Sequence, residues 1–164
     1  MLYILYTATM HAHEILLETY VHIPPLWALE QLSAEQAERC VPGASHSIAE
    51  IVAHMTFWQA WLCDRCEGTA RPMAASAAAG WPTVAHGSWV ELHARFAAGL
   101  QRAVAFGDRA DQPVLPPIEF PPLAHYTVRD ALTHIAQHNS HHLGQVVLLR
   151  QIAGLWPPPA GSWT

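Results

Sequence analysis

The sequence contains no lysine, and its eight basic residues are all arginines. This absence excludes chemistry that runs through a Schiff base on a lysine side chain. The arginines are scattered between Arg39 and Arg150 without a cluster, and the formal net charge is −5. Because a nucleic-acid surface needs concentrated positive charge, the sequence argues against nucleic acid as a partner.

Cysteine and long apolar runs are also scarce. Cys40, Cys63 and Cys66 are an odd number of cysteines in a chain with no secretory signature, which favours reduced thiols inside the cell. The apolar first ten residues lack a basic segment and are too short to span a bilayer. We therefore expect a soluble, cytoplasmic protein with no membrane partner.

Charge is sparse at 13% of residues, whereas hydrophobic residues make up 51%. A chain of 164 residues with this much apolar material can bury a substantial core. We expect one domain over residues 1–164, with residues 1–9 as an N-terminal extension. No run of alternating apolar and polar residues predicts a sheet, so the expected fold class is all-α.

Four principal helices are predicted from apolar spacing and helix-start motifs. They cover residues 11–32 with a kink at Pro24 and Pro25, residues 48–66, residues 89–106 and residues 127–153. Capping boxes are predicted to open the last three, at Ser47, Ser88 and Thr127. Residues 68–87 form a long Ala/Gly/Pro-rich connection that can span the length of a bundle. The pattern predicts a four-helix bundle with one long crossover.

The last helix carries His134, His138, His141 and His142, and its apolar stripe includes His138 and His142 one turn apart. Burying unpaired imidazoles costs on the order of 1–3 kcal/mol per unmet hydrogen bond, so these rings need protein partners or a metal. An H-x-x-x-H pair on a helix points two ring nitrogens at one cation. His134 and His142 are about 12 Å apart along the axis, so one ion cannot take both, and a third ligand must come from another element.

The helix over residues 48–66 offers that ligand, because His54 falls on its inner face with Met55 and Trp58. A single inward histidine is more often a core residue than a ligand, but here it faces a distant H-x-x-x-H pair. By spacing alone, His134 could replace His142 as the partner of His138. A polar network of core histidines without metal also stays open.

Other candidates are weaker. Cys63 lies on the opposite side of its helix from His54, so its pairing with Cys66 is interpreted as packing. Two positions are open for Trp58 and Trp61: they line a pocket above the metal, or they pack in the apolar core. No acid is assigned as catalytic base, which leaves metal-bound water or thiol as the reacting group.

Two segments resemble the signature of the DinB-like family. They are Ser47-Ile-Ala-Glu-Ile-Val-Ala-His54 and His134-Ile-Ala-Gln-His138-Asn-Ser-His-His142-Leu-Gly-Gln, at the separation expected for that family. The resemblance covers nearly the whole chain from about Met10. It implies an up-down-down-up four-helix bundle, a homodimer, and a divalent metal, zinc or nickel, on the histidines at positions 54, 138 and 142. The family often has tyrosine where this chain has His141.

Characterised proteins of this fold include thiol-dependent transferases and isomerases. The resemblance therefore implies an enzyme whose metal activates a low-molecular-weight thiol for transfer to an electrophile, with His134, His141 and Trp58 placed around the ligands. Two alternatives stay open, a metal-dependent hydrolase and a non-catalytic metal-binding stress-response protein. A thiol bearing carboxylates should meet arginine at the pocket mouth, where Arg150 is the one candidate on the metal helix.

Overall fold

The computed structural model describes residues 8–18 and 21–161. Within these ranges the chain is helical with turns and loops, and an isolated bridge between Pro113 and Thr127 is its sole β-type pairing. The all-α prediction is therefore confirmed. Most of the predicted N-terminal extension, residues 1–7, lies outside the described residues. None of the helices described is long and apolar enough to cross a membrane.

Six α-helices follow one another along the described chain. They are α1 (Ala8–His13), α2 (Pro25–Ala28), α3 (Ala34–Glu38), α4 (Ile48–Cys66), α5 (Trp89–Val104) and α6 (Val128–Ile152). A π-helical turn, Glu14–Glu18, continues α1, and 3-10 turns lie at Ala78–Gly80, Gly107–Arg109 and Pro121–Leu123. The three long helices agree with their predicted ranges to within about two residues at either end.

The first predicted helix is more broken than expected. Its second part, α2, ends at Ala28 rather than at Leu32. Gln31 has a φ of 54°, and this left-handed conformation cannot continue a right-handed helix. The short α3 then begins after Ser33, whose side chain accepts a hydrogen bond from the Gln36 amide.

Two of the three capping boxes predicted for the long helices are present. The Ser47 hydroxyl accepts from the Glu50 amide while the Glu50 carboxylate accepts from the Ser47 amide, and Thr127 makes the same exchange at the start of α6. The prediction at Ser88 was wrong. Its hydroxyl donates to the Ala85 carbonyl at 2.6 Å, so it turns back into the preceding loop and leaves the α5 amides uncapped.

Helix α4 contacts both α5 and α6, so its residues form the middle of the core. A buried amide links all three: Gln59 Nε2 donates to the Phe96 carbonyl of α5, and its Oε1 accepts from Asn139 Nδ2 of α6. Gly99 makes room for this amide, because a Cβ there would clash with Gln59 Nε2. The amide joins α4 to α6 at Asn139, the residue that follows His138.

We expect Ser47→Ala to lower the free energy of unfolding by about 1 kcal/mol, because it removes an N-cap hydrogen bond. Ser88→Ala is the matched control and should cost clearly less, since Ser88 caps no helix amide. Urea unfolding followed by circular dichroism measures both. Equal losses for the two variants would contradict this account of the helix starts.

Candidate metal centre

Three histidines from two helices meet between α4 and α6. His54 comes from α4, and His138 and His142 come from α6 one turn apart. A ring nitrogen of each lies within 4.8 Å of the others, and the Nε2 atoms of His54 and His138 are 3.2 Å apart. The structure thus brings together the predicted three residues. His134 does not take the place of His142, which was the alternative left open by spacing.

Hydrogen-bond acceptors of the protein determine which ring nitrogen of His54 and of His142 faces the site. His54 Nδ1 donates to the Gly80 carbonyl at 2.6 Å, and His142 Nδ1 donates to Gln145 Oε1 at 2.7 Å. A neutral imidazole that uses Nδ1 as donor carries its lone pair on Nε2. These are the hydrogen bonds that orient metal-binding histidines in other proteins, so both rings present the ligand nitrogen to the site.

The separation of the ring nitrogens suits a bound cation. Two nitrogens at ~2.0–2.1 Å from a tetrahedral ion are about 3.4 Å apart, close to the 3.2 Å between the Nε2 atoms of His54 and His138. Without a cation, one of these two Nε2 atoms carries a proton that lies between the rings. Three imidazole nitrogens also match the donor preference of zinc and nickel.

Burial keeps the three rings neutral near pH 7. Loss of solvent lowers the pKa of His54 and His142, and lowers that of His138 to about 3 with help from the other two rings. Metal binding requires the neutral form, because a protonated imidazole has no free lone pair. None of the three imidazoles therefore has to lose a net proton before a cation binds.

Trp81 is a part of the site that sequence reasoning missed. Its indole stacks on His54, with ring centroids 3.9 Å apart and an interplanar angle of 11°, and on His46 at 3.8 Å and 10°. Two imidazoles on one face at these distances would overlap, so they occupy opposite faces. From the sequence, residues 68–87 are predicted only to connect two helices. A tryptophan within an Ala/Gly/Pro-rich segment was the available signal that this segment packs against something.

A polar pocket of about 450 Å³ opens beside His138. It is lined by Tyr126, Asp130, Thr133, His134, Gln137 and His138. Within it, the Tyr126 hydroxyl and His134 Nδ1 are hydrogen-bonded at 2.9 Å. His134 and His138 thus line the same pocket. His141 is exposed, and its ring centroid is 4.9 Å from that of His142.

The remaining candidates have structural surroundings. Burial raises the pKa of Cys63 to about 12 and that of Cys66 to about 11, so both thiols stay protonated. Trp61 is buried and donates to the Pro72 carbonyl, whereas Trp58 meets the His54 ring edge-on at 6.5 Å between centroids. The packing interpretation of the cysteines agrees with these surroundings.

Arg150 is not available to a ligand. It is 3% exposed, and it donates through Nη1 to the Ala28 carbonyl and through Nε to the Leu155 carbonyl. These bonds tie the end of α6 to α2 and to the segment that follows α6. The suggestion that Arg150 could receive a carboxylate of the thiol was therefore wrong, because its hydrogen-bonding groups are directed at backbone carbonyls.

The lowered pKa of His138 predicts an acid-sensitive metal-free protein. Below about pH 6.5 an unfolded histidine binds a proton, whereas the folded His138 ring stays neutral down to about pH 3. The unfolded state therefore binds more protons in this window, and the free energy of unfolding falls as pH is lowered from 7 to 4. Urea unfolding at stepped pH with a chelator measures this, and His138→Gln should show a shallower fall.

Parallel curves for wild type and His138→Gln would contradict the burial argument.

Comparison with known proteins supports one family. A family model described as Mycothiol-S-transferase matches residues 17–154, which is most of the chain and includes all three histidines. No curated protein and no solved structure matches the chain. The matched family is of the DinB type, so the resemblance noted from the sequence is confirmed. The chain belongs to the mycothiol-S-transferase family.

Proposed function

We propose that this protein is a metal-dependent thiol S-transferase in which His54, His138 and His142 hold one divalent ion, zinc or nickel. The observation that carries the proposal is the convergence of three neutral ring nitrogens, two of them oriented through Nδ1, in a chain of this family. The family's description names mycothiol as the thiol, and we propose it as the first thiol to test.

The donor set favours reactivity over a purely structural role. Structural zinc sites are usually closed by four protein ligands, and these are often thiolates. Three neutral imidazoles leave coordination positions open and do not neutralise the charge of the ion. A divalent ion there would lower the pKa of a bound thiol, so that thiolate is available near neutral pH. Cys63 and Cys66 are buried and protonated, so the sulfur must come from a separate molecule.

The polar pocket beside His138 is the proposed place of the thiol. Burial lowers the pKa of His134, so its imidazole is neutral and able to accept the proton released when the thiol S–H bond breaks. The hydrogen bond with the Tyr126 hydroxyl holds the ring in place. The sulfur then bonds to the electrophile, and His134 returns the proton to the departing group or to the product.

The lining of the pocket also bears on which thiol it takes. It offers hydroxyl, amide and imidazole groups with one carboxylate, that of Asp130, and it includes no arginine. The Asp130 carboxylate itself accepts from the amide and hydroxyl of Thr127. These groups favour a thiol that presents hydrogen-bonding groups without carboxylates, since nothing in the lining pairs with an anion.

The finer architecture is also proposed. The helical segment over residues 8–18 contacts α5 and α6, and α4 contacts both of those helices. These contacts support an up-down-down-up four-helix bundle in a single domain, with residues 68–87 as the crossover. The homodimer stays a prediction that light scattering at micromolar concentration would test. The cytoplasmic location likewise stays a prediction, to be tested by cell fractionation.

We expect the purified protein to bind about one divalent ion per chain. Alanine at position 54, 138 or 142 should each remove most of the metal, because two imidazoles alone bind far more weakly. Elemental analysis of protein purified without an affinity tag measures the content. His11→Ala and His86→Ala, both at exposed positions, should keep full occupancy. Full metal occupancy in His54→Ala would contradict a site shared by two helices.

Transfer of the thiol to a reactive electrophile should require both metal and added thiol. Conjugation followed by chromatography should fall to the uncatalysed background in His138→Ala and after chelation, and should survive in the double variant Cys63→Ala with Cys66→Ala. Turnover of an ester or amide without thiol would instead assign the protein as a hydrolase. No turnover with any thiol would favour a metal-binding protein without catalysis.

A further inference from the structure

We propose that Trp81 is a positioning residue for metal binding, and that with Gly80 it presets the His54 imidazole for the ion. The inference rests on the proposed metal site. It assigns a role to the connection between α4 and α5, outside both helices that carry the ligands.

A histidine on a helix must be fixed in two ways before Nε2 points at a shared ion. The ring has to have the correct plane, and it has to adopt the one of two orientations, related by a half-turn about the Cβ–Cγ bond, in which Nε2 faces inward. The hydrogen bond from His54 Nδ1 to the Gly80 carbonyl selects between these two orientations. Stacking of the Trp81 indole at 3.9 Å, nearly parallel, sets the plane itself. Consecutive residues of one segment therefore supply both constraints.

The same indole also reaches a second ligand. Its ring meets that of His142 edge-on, with centroids 5.8 Å apart and an interplanar angle of 88°. His142 contacts the His54 ring with a similar edge arrangement at 4.7 Å. Trp81 therefore packs in the corner between a histidine of α4 and a histidine of α6. Removing the indole frees space beside both rings.

Trp81 is itself held from two sides. His46, just before α4, stacks on the face of the indole opposite His54. On the other side of the peptide, Gly80 packs against Trp58, and a Cβ at position 80 would lie 2.8 Å from Trp58 Nε1. Any side chain at position 80 would displace the Trp58 indole or the turn that carries the acceptor carbonyl.

Partners that orient a metal ligand typically contribute about 10–100-fold to metal affinity. We expect Trp81→Ala to weaken zinc binding by a factor in that range, because the His54 ring gains alternative orientations. Trp81→Phe keeps an aromatic face and should stay within a few-fold of wild type. Trp27→Ala, at a half-exposed tryptophan of α2 away from the site, is the matched control and should bind zinc as wild type does.

The measurement is competition for zinc with a chromophoric chelator, together with the visible spectrum of the cobalt-loaded proteins. Melting temperatures with and without zinc separate positioning from packing. A packing role lowers both temperatures equally, whereas a positioning role reduces the increase that zinc produces. Gly80→Ala tests the same idea with the indole intact, and it should also weaken zinc binding and alter the cobalt spectrum.

Wild-type zinc affinity and an unchanged cobalt spectrum in both Gly80→Ala and Trp81→Ala would overturn the inference alone. A wild-type protein that binds no divalent ion would overturn the proposed function together with it. Weakened binding in Trp81→Ala with recovery in Trp81→Phe is the outcome that supports the positioning role.

Discussion

The hydrogen bond from His54 Nδ1 to the Gly80 carbonyl couples the proposed metal centre to the fold. An imidazole buried between helices has two nitrogens, and which of them carries the proton decides whether the other can bind a cation. The carbonyl of Gly80 can accept a hydrogen bond but cannot donate one, so the ring has a single favourable tautomer. The position of that carbonyl depends on how residues 68–87 pack on α4, and hence on Trp58 and Trp81.

The centre also depends on the arrangement of α4 against α6. Burial lowers the pKa of all three histidines, which means that the fold already bears the cost of removing these rings from water. The buried amide of Gln59 accepts a hydrogen bond from Asn139, the residue that follows His138. A buried polar contact therefore joins the two helices that carry the histidines.

Much of this arrangement is readable from the sequence because helices are periodic. The spacing of His138 and His142, the inward position of His54 and the capping motifs at Ser47 and Thr127 all follow from local pattern, and the structure shows them as expected. Ser88 carries the same local pattern as Ser47, yet its hydroxyl bonds to the preceding loop. Local sequence does not encode which of two competing hydrogen-bond partners a side chain reaches.

The contacts that the sequence did not reveal are those made by irregular backbone. Gly80 contributes a carbonyl, which has no side-chain signature, and Trp81 acts through a stack with residues 27 and 35 positions earlier. Arg150 is the converse case, because its charge suggested a ligand site while it donates to backbone carbonyls, one of them that of Ala28, 122 positions away. Long-range contacts of this kind depend on loop paths, and periodicity carries no information about them.

The location of Gly80 and Trp81 between helices has a consequence for protein design. Copying the three histidines onto two helices of an unrelated bundle would reproduce the ligand spacing and omit the parts that orient His54. Such a transplant would resemble many engineered sites in which the ligands are present but loosely held. The smallest portable unit of this centre is therefore α4, the connection through residue 81 and α6, with the loop that carries His46.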